Sequence, residues 1–171
     1  MPIEESLLQF SYNIGLFDLM NTRWMWPIVE SLHFIGLCLL IGAVGTFDLR
    51  MLGIARGVSF SGLHKFVPFG VAGYCLNVIT GSMFFLAAPA QYLYNPSFQL
   101  KGMFMLGAGI NMVVFYLTTS QAVKNTLAEE QVVTRAKAMA LISLICWIGV
   151  ITCGRLLTFF RPPYHWCFWC G

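Results

Sequence analysis

Apolar residues run almost unbroken through four blocks of the chain, at 27–47, 66–88, 102–120 and 138–160. Each block approaches or exceeds the ~20 residues a helix needs to cross ~30 Å of hydrocarbon. Four such blocks in 171 residues leave too little polar sequence to cover them as the core helices of a soluble domain. The pattern predicts an all-α integral membrane protein built as a four-helix bundle. Residues 3–22 are also apolar but are broken by Glu4, Glu5, Asn13, Gly15 and Asp18. That mixture is wrong for a span and predicts an N-terminal amphipathic helix lying at the interface. The connection AAPAQYLYNPSFQ, with its prolines and tyrosines, suits a turn at headgroup depth. Trp24, Trp26, Trp147, Trp166 and Trp169 mostly flank the blocks, as an aromatic belt would. Gly36, Gly42, Gly45, Gly70, Gly73 and Gly81 permit close helix approach. No Gly/Ser linker or clear repeat divides the chain, so 1–171 reads as a single transmembrane domain with a cysteine-containing tail at 161–171.

Composition strengthens this picture. The chain is 58% hydrophobic and 10% charged, where soluble domains carry about a quarter charged residues. Mean hydropathy is +0.73. The net charge of +3 carries no nucleic-acid signal, because the basic residues sit at block ends and form no stripe. The start MPIEESLLQF has acids and no basic n-region, which argues against a cleaved secretory signal. Arg50, Arg56, Lys65, Lys124, Arg135 and Lys137 fall on one side; Arg23, Lys101 and Arg161 fall on the other. By the positive-inside rule, the first side is cytoplasmic and both termini lie outside.

Candidate chemistry centres on WPIVESLHFIGLCLLIGAVGTFDLR, where Glu30 and His33 share a helix face inside an oily run. An intramembrane ionisable residue costs roughly 2.5–3.5 kcal/mol at the centre and needs a reason to be there. At 1.5 Å per residue, His33 lies ~10 Å below the outer boundary, and Arg155 of the fourth block lies at nearly the same depth. Depth alone therefore suggests a structural ion pair between Glu30 and Arg155, with His33 donating to a carbonyl. The same outer half holds Met83, Met105 and Cys153, and the tail RPPYHWCFWCG adds His165, Cys167 and Cys170. Imidazole, thioether and thiolate suit copper or haem iron better than magnesium or calcium. His33 with His165 or Met83 would hold one haem b, with Arg155 on a propionate. A copper site would draw on His33, Met105, His165, Cys167 and Cys170. His64 starts the second block on the cytoplasmic side, too far in depth to share a haem with His33.

Other motifs are excluded or neutral. Glu30-x-x-His33 lacks the second Glu-x-x-His that a di-iron site needs. Cys167-x-x-Cys170 is not a haem-attachment motif, because His165 precedes the pair. It offers a redox-active disulfide or part of a metal site. Cys38, Cys75, Cys146 and Cys153 read as small buried hydrophobes. Asn77 and Asn111 read as interhelical hydrogen-bond partners, and Asp48 and Arg50 as the boundary anchor of the first helix. No catalytic triad, phosphate loop or kinase motif is present, so nothing marks the chain as an enzyme by itself.

WPIVESLHFIGLCLLIGAVGTFDLRMLG, YNPSFQLKGMFML and SLICWIGVITCGRLLTFF together resemble an uncharacterised family of bacterial four-helix inner-membrane proteins, a domain of unknown function. The likeness covers about residues 26–160. More loosely, the layout is similar to copper-resistance D-type membrane proteins and small b-type cytochromes. The resemblance implies four helices and a bacterial inner membrane, with periplasmic termini on the orientation above. It departs at Tyr116, where the family carries a histidine late in the third helix. Two functions follow. One is a redox or metal-handling membrane component with haem b or copper near the outer face. The other is a non-catalytic anchor or structural subunit of a larger complex, partnered by another membrane protein or by its own copies within the lipid bilayer. Transport through Glu30 and Arg155 has less room in four short helices.

Overall fold

The computed structural model describes residues 3–54, 57–124 and 133–160. In chain order the helices are α1 (Ile3–Asn13), α2 (Leu16–Met20), α3 (Met25–Leu52), α4 (Phe60–His64) and α5 (Val67–Ala87). They continue with α6 (Pro89–Leu93), α7 (Pro96–Thr118), α8 (Ser120–Lys124) and α9 (Thr134–Leu156). Among the described residues there is no strand. Four stretches are long and apolar enough to cross a membrane: Met25–Leu52, Phe60–Ala87, Pro96–Thr118 and Thr134–Leu156. These correspond to the four apolar blocks, so the all-α bundle is as expected.

The helix ends differ from the block ends, and the differences matter. The first long helix, α3, runs past residue 47 to Leu52 and stops where Gly53 takes φ 90°. The Gly53 amide bonds to the Arg50 carbonyl at 3.0 Å and the Ile54 amide to that of Leu49 at 3.1 Å. Glycine suits this left-handed C-terminal position because it has no Cβ to clash. Asp48 and Arg50 therefore lie in the last two turns of the helix, near its boundary as expected but not at its terminus. They stand inside the helix, 3% and 1% exposed. Likewise α7 starts at Pro96, not 102. Asn95 Oδ1 accepts from the Ser97 amide at 3.0 Å, and Pro96 fills the first position, where no amide partner is needed. Lys101, read above as a loop residue, thus lies in the second turn of a spanning helix.

Residues 3–22 do form helix, bent at Gly15, which has φ 70°. This segment is fastened to the bundle. Met20 is buried with Val29 of α3 and Ala87 of α5, and Leu16, Met25, Trp26, Met83 and Phe84 close around them. At the opposite end a second cluster joins Met51, Phe60, Phe115, Val123, Ala136, Met139 and Ala140.

The long helices associate chiefly as two pairs, α3 with α5 and α7 with α9, and α3 against α9 joins the pairs. Small residues set the first pairing. A Cβ built on Gly73 would lie 2.5 Å from the Gly36 carbonyl oxygen and 2.8 Å from the Leu40 amide nitrogen. Gly70 meets Ala43 in the same seam. In the second pair Gly149 receives the Phe104 ring, and Asn111 Nδ2 donates to the Met139 carbonyl at 3.0 Å. That bond is interhelical, as expected. Asn77 instead donates to Gly73 O on its own helix at 2.8 Å. Gly42 faces open space.

Gly73→Ala should force backbone away from backbone, and overpacking of this kind costs ~1–3 kcal/mol. Thermal unfolding of the detergent-purified protein should show a clear loss for Gly73→Ala. Gly42→Ala should be neutral or slightly stabilising. Equal effects at the two positions would mean the seam is not tightly packed.

Candidate functional site

In the half of the bundle beside α1 and α2, each spanning helix directs one polar or thiol side chain inward. On α3, buried Val29, Gly36 and Leu40 mark the packed stripe, and His33 falls on it at helical spacing. The α5 partner is Thr80, 2% exposed. On α7, Lys101 is half-buried and begins a stripe that runs through Met105 to buried Ala108. On α9, Cys153 is 6% exposed, and the next residue, Gly154, comes within 3.8 Å of Lys101 Nζ, measured from its Cβ position.

The hydrogen bonds fix the chemistry of the imidazole. Thr80 Oγ1 donates to the Leu76 carbonyl at 2.7 Å. With its proton committed there, the oxygen accepts from His33 Nδ1 at 2.7 Å. Nδ1 therefore carries a proton, and in the neutral ring Nε2 keeps its lone pair. A ring held through one nitrogen so that the other can bind is the arrangement that orients metal-ligating histidines. Phe84 stands edge-on to the ring at 6.0 Å between centroids. The Lys101 ammonium is felt electrostatically at His33, and Lys101 and Cys153 act on each other in the same way. Among the described residues no carboxylate pairs with Lys101.

The other candidates fall differently. Glu30 and Arg155 are both exposed, and no ion pair joins them. Their depths match, but Arg155 is two residues from buried Cys153, roughly 200° around the helix, so it points away from the interior. Met83 is packed into the Met20, Val29 and Ala87 cluster as apolar filling. Met105 is half-buried. His64 lies at the far end, stacked on Phe47. His165, Cys167 and Cys170 lie outside the described residues. Among the described residues, no three His, Cys, Asp or Glu side chains gather as a metal-binding group. Cys38 and Cys75 are exposed on the apolar surface, Cys146 is half-buried, and among the described cysteines only Cys153 is fully buried. Tyr116 is 46% exposed, so the position where the resembled family carries histidine is turned away from this cluster.

Sequence reasoning missed Thr80 and Lys101. The signal for Lys101 was Asn95-Pro96, a capping residue followed by proline, which starts a helix five residues before the lysine. Nothing along the sequence singles out Thr80.

Fold and site together define a multi-pass helical protein, apolar on its outer surface, with a histidine–threonine–lysine–cysteine cluster between its spans. The chain matches no family model, no curated protein and no solved structure.

Thr80→Val keeps the shape and strands the His33 N–H, which should cost ~1–3 kcal/mol. A double-mutant cycle with His33→Leu, read by thermal unfolding, should give a coupling of ~0.6–1.7 kcal/mol, the range of hydrogen bonds within membranes. A coupling of zero would mean the two side chains act independently.

Proposed function

We propose that this chain is a membrane component that binds haem b in the half of the bundle containing His33, and that its role is redox. The observation that carries the reading is the His33 imidazole, tethered through Nδ1 to Thr80 with the Nε2 lone pair left to bind. Lys101 supports it: a lysine that meets no carboxylate among the described residues, and whose charge is felt at the candidate axial ligand, suits a propionate carboxylate. Haem bound there would supply one-electron chemistry. The chain's own residues would hold the ring nitrogen in one tautomer and place a positive charge next to it.

Copper fits less well. A lysine ammonium next to His33 disfavours a bare cation, and Met83 is committed to apolar packing. The loose similarity to small b-type cytochromes agrees with the haem reading. The resemblance to the bacterial four-helix family and the distribution of basic residues favour an inner membrane with both termini outside. On that orientation the His33 cluster is in the outer half.

Protein purified from haem-replete membranes should show a Soret band and bound iron. His33→Gln should abolish or shift the band while the fold survives. Lys101→Gln should retain a band but lower haem occupancy. A wild-type protein with neither iron nor a Soret band would overturn the reading and leave the non-catalytic subunit role. For orientation, a membrane-impermeant maleimide should label Cys167 and Cys170 in intact spheroplasts. Labelling only after lysis would invert the topology.

A further inference from the structure

At the opposite end of the bundle, Asp48 presents a second problem that the haem reading does not touch. Its residue is 3% exposed, and its Oδ2 is buried with no hydrogen-bond partner among the described residues. The group that meets the carboxyl is the Ser143 hydroxyl, which reaches it from α9. Ser143 is itself buried. One hydroxyl does not compensate a buried carboxylate, which is otherwise neutralised by a positive charge.

Among the described residues, the nearby cations do not supply that charge. Arg50 is two residues along α3, roughly 200° around the helix. Its Nε donates to the Val58 carbonyl at 2.7 Å, and its guanidinium lies 4.4 Å from the centre of the Phe60 ring. Arg50 is thus the tie that holds the turn between α3 and α4. His64 of α4 stacks on Phe47 at 5.5 Å between centroids. Lys65 and Arg135 are exposed, and Lys137 lies six residues before Ser143 on α9. Among the described residues no cation reaches the Asp48 carboxyl.

We propose that Asp48 is a cation-binding position, occupied by a proton or by one monovalent metal cation taken from the water at that end of the bundle. Asp48 is one turn from the end of α3 at Leu52, ~6 Å along the axis, so the water is close. Occupancy at Asp48 neutralises the carboxyl between α3 and α9, the contact that joins the two helix pairs. Folding therefore takes up a cation, and the bundle is firmest when the site is filled. If the cation is a proton, stability falls as pH rises. If it is sodium, stability at alkaline pH rises with sodium and not with choline.

The test uses the full chain in nanodiscs. Thermal unfolding is followed from mildly acidic to alkaline pH, with sodium, potassium or choline chloride at constant ionic strength. Wild type should lose stability with rising pH in choline. Rescue by sodium or potassium identifies a metal cation, and no rescue identifies the proton. Asp48→Asn, which mimics the neutral side chain, should fold and lose both dependences. As a check needing no variant, dicyclohexylcarbodiimide should modify the protonated Asp48, detected by mass spectrometry, and a bound metal cation or alkaline pH should protect it. The proposal is overturned if wild-type stability is flat to both pH and cations, if Asp48→Asn responds as wild type does, or if Asp48 resists the carbodiimide at every pH.

Discussion

The approach of α3 to α5 at Gly36 and Gly73 governs where the polar groups of this bundle can go. With no Cβ on either residue, backbone lies against backbone. In an antiparallel pair, the residues one to two turns from that contact are brought into register. His33 then meets Thr80 at hydrogen-bonding distance. Larger residues at the seam would separate the helices and strand the imidazole in hydrocarbon, where no water can satisfy it.

The two ends of the bundle treat charge in opposite ways. Near α1 and α2 the interior holds an imidazole, a thiol and a lysine that meets no carboxylate among the described residues. At the far end it collects a carboxyl with no cation beside it, and Arg50 is turned to a carbonyl and an aromatic ring. Partnered, these groups would be ordinary structural devices. With no internal partner among the described residues, each is a place for a charge from outside, which the proposed propionate at Lys101 and the proposed cation at Asp48 would supply.

Outside these stations the long helices present mostly apolar side chains outward, Glu30 and Arg155 being exposed exceptions. On α7, Leu117 is 79% exposed, Met103 69% and Leu106 66%, which in water would be an unworkable surface. Against lipid it is the expected one. The same condition explains why the bundle can rely on glycines, a few hydrogen bonds to carbonyls and two modest apolar clusters. Each long helix already satisfies its own backbone.

The sequence by itself determined the number of long helices and their apolar character. Block length against bilayer thickness is a local, additive property, and nothing distant can change it. It also put His33 inside the first apolar run but gave it a backbone carbonyl, where the structure gives it the Thr80 hydroxyl. Asn111 was legible as an interhelical donor, because an amide in so apolar a run needs a partner. Rotation and end position were decided only by the tertiary structure. Glu30 and Arg155 share a depth, yet Cys153 turns inward and carries Arg155 outward. Gly53 and Asn95 shift the helix ends enough to bring Asp48, Arg50 and Lys101 inside. Thr80 carried no mark in its own segment; it became the partner of His33 because two glycines elsewhere let their helices touch. Hydropathy reads how deep a residue lies. Packing alone fixes which way it faces.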